Sequence, residues 1–282
     1  MPEFLIGLTI LAVGTSMPEL VVSVLSAING QPDMALGNVV GSNLFNGLLI
    51  LGVCALVRPI AYTRDNIRYD IPFGVLTSVL LLFVASDALL GLGVKNVIGR
   101  ADGALMLVLY IALMLFTIRH TKRPEEHETK QPMMAPWLMI LMIVGGLCGL
   151  IFGGELFLDS ATKIARSLGV SESVIAITLV AGGTSLPELA SSVVSLLKGK
   201  ADLALGNVIG SNIANILLIL GLSSLINPLT MGGVTHFDLL AVLMTSILLM
   251  MTAYTFRSRT LDRAEGVIFI ALYAGYIYLL IG

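Results

Sequence analysis

Charged residues are scarce in this sequence of 282 residues: Asp, Glu, Lys and Arg together make up 12%, against 56% hydrophobic residues. A soluble domain usually carries about 25% charged residues, so this chain has too little polar surface to cover a water-soluble core. The mean hydropathy is +0.95, and several apolar runs are long enough to cross about 30 Å of hydrocarbon. These features indicate an all-α membrane protein with the lipid bilayer as its partner.

Other absences exclude further classes of protein. There is no basic stripe to neutralise phosphates, so a nucleic-acid partner is not expected. Cys54 and Cys148 are single residues inside apolar runs, which argues against a disulfide framework and a zinc site. No Ser–His, Asp–Asp or HExxH arrangement lies within those runs, so we expect no enzyme activity. Residues 1–28 lack a basic region and contain Glu3 and Glu19, which is unlike a cleaved signal peptide.

Hydropathy divides the chain into nine apolar segments. They are approximately 3–28, 33–57, 69–92, 100–118, 136–160, 170–197, 202–226, 237–256 and 264–281. The longest polar stretch, Arg119–Gln131, falls between the fourth and fifth segments and is too short to be a domain. We interpret residues 119–135 as a solvated linker.

The basic residues predict an orientation in the cell membrane. If the 119–135 linker is cytoplasmic, the loops on that side collect twelve Lys and Arg residues and the opposite loops collect four. An excess of positive charge marks the cytoplasmic side. Residue 1 is then also cytoplasmic, and the C-terminus lies outside.

An internal repeat is the strongest signal in the sequence. Residues 14–52 align without gaps to residues 183–221 at an offset of 169, with 25 identities in 39 positions. Five predicted spans separate equivalent points, so the two copies enter the membrane from opposite sides. Inverted repeats are typical of secondary transporters with a binding site between the halves. We therefore expect a first repeat over 1–118, the linker over 119–135 and a second repeat over 136–282.

The offset also predicts an unmatched helix. The second copy is preceded by the segment at 136–160, whose counterpart would fall before residue 1. We expect that a first helix is missing from this chain, through truncation or a misplaced start, with an ancestral nine-helix arrangement as the alternative.

Two carboxylates lie in the middle of apolar segments. Glu19 and Glu188 are equivalent in the repeat and have no basic residue nearby in sequence. An ionised carboxylate at membrane depth costs on the order of 3 kcal/mol. Protonation or a bound cation would offset this cost, so both residues predict a proton or cation site.

The neighbouring residues favour a metal cation. Thr15 precedes Glu19 by four residues, as Thr184 precedes Glu188, so each pair shares a helix face. Pro18 and Pro187 free a backbone carbonyl and break the helix. On the following helices Ser42 and Asn46, and Ser211 and Asn215, repeat the four-residue spacing. Such oxygens are ligands that Ca²⁺ and Na⁺ prefer. For a single copy, a helix-packing network is the competing interpretation, and it remains the preferred one for Asn38, Asn43, Asn207 and Asn212.

The paired motifs resemble those of a known family. GTSMPEL followed by GNVVGSNLFN, and GTSLPEL followed by GNVIGSNIAN, are similar to the α-repeats of the sodium/calcium exchanger family, and the resemblance extends from residue 2 to residue 281. It implies ten helices in two inverted halves of five, of which nine segments are visible here.

The resemblance also implies four central ion sites and no cofactor besides the transported Ca²⁺ and Na⁺. Glu19 and Glu188 would be the carboxylates that both ions share. Asn46 and Asn215 would occupy central positions, and the carbonyls of Ala12 and Ala181 would complete the Na⁺ sites. The remaining ligands would be hydroxyl or backbone oxygens of Thr15, Thr184, Ser16, Ser185, Ser42 and Ser211. One monomer would be sufficient for such a site, and the sequence leaves the oligomeric state open.

Asn215 departs from relatives that carry Asp at this position. With Asn46 and Asn215 both neutral, the site holds two formal negative charges, which balance one Ca²⁺ and leave one excess positive charge with three Na⁺. The resemblance therefore implies electrogenic exchange by alternating access, independent of K⁺. A proton-coupled antiporter of Ca²⁺ or another divalent cation is the alternative, and a channel is a further class that would need no counter-ion.

Overall fold

The computed structural model describes residues 3–87, 96–120, 162–167, 172–255 and 259–281, together with isolated positions between 137 and 169. Apart from those isolated positions, the predicted segment at 136–160 lies outside the described residues. The same holds for Cys148 and for all but the first two residues of the 119–135 linker.

Helices dominate the described chain. We number them α1 to α10. Their bounds are α1, residues 3–15; α2, Met17–Ile28; α3, Pro32–Val57; α4, Asn66–Val84; α5, Arg100–His120; α6, residues 172–184; α7, Leu186–Leu197; α8, Ala201–Ile226; α9, His236–Thr252; and α10, Arg263–Ile281. Five of them (α3, α4, α5, α8 and α10) are long and apolar enough to cross a membrane, and two bent pairs raise the count to seven. The helix α9, with 17 residues, is shorter.

Eight of the nine predicted segments therefore correspond to a helix or a bent pair of helices. The third differs in its bounds, since α4 begins at Asn66 and ends at Val84, whereas the apolar run extends to residue 92. Residues 88–95 lie outside the described chain.

The breaks expected at the two proline motifs are present. The chain bends by 53° between α1 and α2 and by 48° between α6 and α7. Ser16 and Ser185 occupy the break points, with ψ near zero instead of the helical value. Pro18 and Pro187 follow at the second position of the new helix, where the missing N–H costs no intrahelical bond.

Several helices contain π-helical turns that the sequence does not predict. They are Gly7–Leu11 in α1, Phe45–Ile50 in α3, Asn66–Asp70 in α4, Ala176–Val180 in α6 and Asn215–Leu220 in α8. The turn in α6 occupies the positions that the repeat makes equivalent to the turn in α1. The turn in α8 begins one position later than the equivalent of the turn in α3. Such turns often mark functional sites.

Two short antiparallel sheets join the halves. The strand β1 (Ile60–Ala61) pairs with β4 (Thr260–Leu261), and β2 (Val97–Ile98) pairs with β3 (Leu229–Thr230). Each sheet takes one strand from the first repeat and one from the second. Two-residue strands are too short to show the alternation of apolar and polar residues by which strands are predicted.

The helices α3 and α8 form the centre of the protein. Their most apolar stretches are 83% and 72% buried, against 22–33% for α4, α5 and α10, which lie at the periphery. Close approach of backbones holds the central helices against the broken ones. A side chain at Gly210 of α8 would come within 2.5 Å of the Leu8 carbonyl oxygen, and one at Gly41 of α3 would collide with the equivalent carbonyl of Ile177.

Candidate cation-binding site

Two buried carboxylates lie at the helix breaks. Glu19 is in the first turn of α2, Glu188 is in the first turn of α7, and both side chains are fully buried. The N-terminus of a helix carries partial positive charge, which favours a carboxylate. This partial charge offsets only part of the cost of burying an ionised group.

Each carboxylate accepts a hydrogen bond from the serine at the helix break of the other half. The Ser16 hydroxyl donates to Glu188 Oε1, and the Ser185 hydroxyl donates to Glu19 Oε1, both at 2.8 Å. Ser16 lies directly before the helix that carries Glu19, and Ser185 directly before the helix that carries Glu188. The two carboxylates therefore belong to one site between the halves.

Asn38 of α3 frames the first carboxylate. Its amide nitrogen donates to the Ser23 hydroxyl at 2.9 Å and to the Glu19 backbone oxygen at 3.3 Å, while its oxygen accepts from the Thr184 hydroxyl at 3.2 Å. Asn38 thus connects α2 and α3 of its own half to the break of the other half.

Asn207 of α8 repeats this arrangement around Glu188. It donates to the Ser192 hydroxyl at 3.0 Å and to the Glu188 backbone oxygen at 3.4 Å, and it accepts from Thr15 at 3.3 Å. The hydrogen bonds, like the sequence motifs, are therefore duplicated about an internal two-fold axis.

Backbone carbonyls at the breaks complete the oxygen set. The Ala181 carbonyl accepts from Ser42 at 3.4 Å and from Thr184 at 3.1 Å. The Ala12 carbonyl accepts from Ser211 at 3.5 Å and from Thr15 at 3.4 Å. Most of these bonds are long, which indicates oxygens that are only weakly satisfied within the protein.

Several buried polar atoms have no partner among the described residues. They include Glu19 Oε2, Glu188 Oε2, both amide atoms of Asn46 and the amide oxygens of Asn212 and Asn215. In the described part of the chain, neither carboxylate pairs with Lys or Arg. An unsatisfied buried acceptor is costly, and a cation coordinated by these oxygens would remove that cost.

The donor set fits a hard cation. Within the described residues there is no group of three or more His, Cys, Asp or Glu side chains that could hold a metal. The available ligands are two carboxylates with hydroxyl, amide and carbonyl oxygens. This chemistry suits Ca²⁺ and Na⁺ better than a transition metal.

All twelve residues predicted for the site are buried. Ten of them belong to two equivalent hydrogen-bonded groups. One group contains Ala12, Thr15, Ser16, Glu188 and Ser211, with Asn207 as the link; the other contains Ala181, Thr184, Ser185, Glu19 and Ser42, with Asn38 as the link.

The central asparagines lie outside these two groups. Asn215 donates to the Asn43 amide oxygen at 3.1 Å, whereas Asn46 makes no hydrogen bond to a described residue. Ser23 and Ser192 were not predicted as part of the site. Both follow a site glutamate by four residues, the spacing that identified Thr15 and Thr184, and this signal could have found them.

Comparison with known proteins agrees with this architecture. The model of the family described as "Sodium/calcium exchanger protein" matches residues 1–119 and 138–282. The putative antiporter CaxA of Alkalimonas amylolytica is 39% identical over 98% of this chain and 87% of its own length. The sodium/calcium exchanger MaX1 of Methanosarcina acetivorans is 31% identical over 99% of this chain and 89% of its own length.

A solved structure is also similar over nearly the whole chain. The sodium–calcium exchanger NCX_Mj, soaked with 10 mM Na⁺ and zero Ca²⁺, superposes with a TM-score of 0.80 at 32% identity, covering 99% of this chain and 87% of that one. Fold and comparisons together define a membrane antiporter built from inverted repeats of transmembrane helices. The chain belongs to the sodium/calcium exchanger family, whose members exchange cations and are transporters, not enzymes.

The unpartnered oxygens generate a binding prediction. Ca²⁺ at a hundred times its dissociation constant should raise the free energy of unfolding by about 2.7 kcal/mol, and this rise should be lost in the double variant Glu19→Gln/Glu188→Gln. Thermal unfolding in detergent, with and without Ca²⁺, measures both. As a control, Glu265→Gln alters a buried carboxylate bonded to Thr255 and should keep the Ca²⁺ shift. An equal shift in the double variant would contradict the site.

Proposed function

We propose that this chain exchanges Na⁺ for Ca²⁺ by secondary active antiport. The observation that carries the proposal is the pair of buried carboxylates, Glu19 and Glu188, each with one oxygen bonded by a serine of the other half and one oxygen without a partner. A bound cation would offset the cost of two like charges in a nonpolar environment. The choice of Na⁺ as the counter-ion is supported by MaX1 and NCX_Mj, which are named as sodium/calcium exchangers.

The proposed ligands are the twelve residues of the candidate site. Glu19 and Glu188 would be shared by both ions, and the Ala12 and Ala181 carbonyls would serve Na⁺. Asn46 and Asn215 would supply central amide oxygens. The hydroxyls would come from Thr15, Thr184, Ser16, Ser185, Ser42 and Ser211. The hydroxyl bonds to the two alanine carbonyls are 3.1–3.5 Å long, so a cation could replace them at little cost.

Exchange follows from competition for these oxygens. Since Ca²⁺ and Na⁺ would use the same carboxylates, the loaded protein holds one kind of ion or the other. A ligand shifts a conformational equilibrium only through its different affinity for the two states. We infer that an ion which satisfies both carboxylates favours the states in which the site can be closed and reopened on the other side, whereas the empty site leaves two buried charges unpaired.

The charge of the site supports electrogenic exchange. With neutral Asn46 and Asn215, the proposed site carries two formal negative charges. One Ca²⁺ balances them, and three Na⁺ leave one positive charge in excess. The amide at position 215 in place of a carboxylate also supports independence from K⁺.

Substitution of the carboxylates tests the function. Proteoliposomes loaded with Na⁺ should take up ⁴⁵Ca²⁺ from a Na⁺-free medium, and Glu19→Gln or Glu188→Gln should reduce the rate at least about a hundredfold, as expected when a buried charge loses its partner at a cost of about 3 kcal/mol or more. Glu265→Gln serves as the matched control and should transport normally. Replacing the Na⁺ gradient by a pH gradient separates the proton-coupled alternative. Uptake driven by the pH gradient alone would overturn Na⁺ coupling.

Membrane potential tests the charge balance. Outward movement of three Na⁺ against inward movement of one Ca²⁺ expels one net positive charge, so an interior-positive potential should increase Ca²⁺ accumulation. One charge gains about 2.3 kcal/mol per 100 mV, which corresponds to about a fiftyfold change in the equilibrium ratio. A ratio that does not respond to potential would indicate electroneutral exchange. Uptake that fails when choline replaces K⁺, in the absence of an imposed potential, would contradict K⁺ independence.

We also propose the orientation predicted from the basic residues: residue 1 and the 119–135 linker cytoplasmic, the C-terminus outside, and the repeats at 1–118 and 136–282. The sheet of β1 and β4 supports this, because it brings the loop with Arg58 and Arg64 beside Arg259 and Arg263. In intact cells, a membrane-impermeant maleimide should label Gly233→Cys but reach Lys198→Cys only after permeabilisation. The parent chain gives the background. Labelling of Lys198→Cys in intact cells, with Gly233→Cys reached only after permeabilisation, would indicate the opposite orientation in the membrane.

A further inference from the structure

Two predominantly apolar cavities formed by described residues lie outside the ion site, at the periphery of the helix bundle. The larger has a volume of about 650 Å³ and opens between α4 and α5, with Leu217 of α8 at its inner end. The smaller has a volume of about 300 Å³ and opens between α9 and α10, with Leu44 and Leu48 of α3 at its inner end. Each cavity therefore combines two peripheral helices of one half with the central helix of the other.

The two cavities are copies of each other. Each lining residue of the larger cavity has a counterpart in the lining of the smaller one, at one constant spacing between α4 and α9 and another between α5 and α10. On the first pair of helices, Phe73, Leu76, Thr77 and Leu80 correspond to Ala241, Met244, Thr245 and Leu248; on the second, Leu109, Ala112, Leu113 and Phe116 correspond to Leu272, Gly275, Tyr276 and Leu279. Leu217 corresponds to Leu48 in the repeat alignment. The cavity is thus a feature of the duplicated architecture and not an accident of packing in one half.

The larger cavity is unsuited to water. Its lining is apolar except for Thr77, whose hydroxyl is already bonded to the Gly74 carbonyl at 2.9 Å. A buried water needs two to four polar partners. At the mouth, Leu76 and Leu109 are 60% and 38% exposed on helices that cross the membrane, so the opening faces the hydrocarbon of the bilayer. An empty cavity of this size would forfeit many dispersion contacts.

The two copies carry different side chains at several paired positions, and one of these differences adds a hydrogen bond to the smaller cavity. Leu113 in the larger cavity corresponds to Tyr276 in the smaller. The Tyr276 hydroxyl donates to Asp238 at 2.7 Å, and its ring stacks on Phe237 at a centroid distance of 6.1 Å. The tyrosine is thereby held across the smaller cavity and fills part of it, whereas Leu113 leaves the larger cavity open.

We propose that the larger cavity binds an acyl chain of a membrane lipid. The lining is apolar, the opening faces the bilayer, and lipid is the abundant apolar molecule there. The described residue Ala165 packs with Ile175 and Val180 of α6, next to Val22 of α2. These helices do not line the cavity, so Ala165 does not fill it. The end of the acyl chain would contact Leu217, which lies two residues after Asn215 in the same π-helical turn. The lipid would thereby support the turn that carries a residue of the candidate ion site.

Photolabelling tests the proposal independently of transport. The full chain is reconstituted in phosphatidylcholine vesicles that contain a trace of phosphatidylcholine with a diazirine near the end of one acyl chain. After irradiation, peptide mapping should find adducts at Leu217 and on the lining face of α5. Leu113→Phe, which fills the cavity, should lower the adduct at Leu217 about tenfold, the change expected when about two methylene groups lose their apolar contacts.

A matched substitution on the same helix is the control. Leu115 is 49% exposed and does not line the cavity, so Leu115→Phe should leave the Leu217 adduct unchanged. If Leu113→Phe does not fold, Ala112→Leu narrows the same cavity and should lower the adduct in the same direction. Labelling confined to exposed positions such as Ile111, with none at Leu217, would overturn the proposal. So would a Leu217 adduct that neither cavity-filling variant reduces.

Discussion

The structure depends on burying two carboxylates, one from each half, where no described basic residue neutralises them. The cost of two unpaired charges in a nonpolar environment exceeds what helix dipoles and a few hydroxyls return. Other features of the centre serve this constraint. The breaks at Ser16 and Ser185 aim hydroxyls at the opposite carboxylate, and the central helices approach closely enough for Asn38 and Asn207 to hold both glutamate backbones. A cation coordinated by both carboxylates would supply the missing positive charge.

Duplication explains how so small a polar set can be positioned. Each half supplies the hydroxyl that donates a hydrogen bond to the other half's carboxylate, so the single site between the halves needs both repeats. The backbone also connects the two halves, because each two-stranded sheet takes one strand from each half. A further contact between the halves joins α4 and α9, where the hydroxyls of Ser78 and Ser246 lie 2.8 Å apart. Hydrogen bonds across the halves, together with those within each half, therefore determine the geometry of the site.

Much of this could be predicted from the sequence, for identifiable physical reasons. A glutamate in an apolar run is costly wherever it lies, and a proline within such a run breaks a helix, so Glu19 and Pro18 and their copies indicated the candidate site. The π-helical turns at Phe45–Ile50 and Asn215–Leu220 could not be predicted, because they depend on packing and carry no periodicity of their own. The different hydrogen bonding of Asn46 and Asn215 was equally inaccessible, since both residues occupy the same position of the pattern GSN-x-x-N. Which atoms lie near each amide depends on tertiary structure.

The positions where the two halves differ bear most directly on mechanism. If both halves had identical surroundings, the states open to either side of the membrane would be equally stable. Phe45 packs edge-on against Tyr273 at a centroid distance of 5.8 Å, and its ring lies where a Cβ at Gly182 would approach it to 3.3 Å. Its counterpart in the repeat is Ala214, which has no ring. Asn215 is bonded to Asn43, while Asn46 has no described partner. In transporters with inverted repeats, alternating access is largely the rocking of one repeat against the other around a fixed site. We therefore expect such unequal pairs to set the relative stability of the two open states, whereas the symmetric oxygens bind the ion in both.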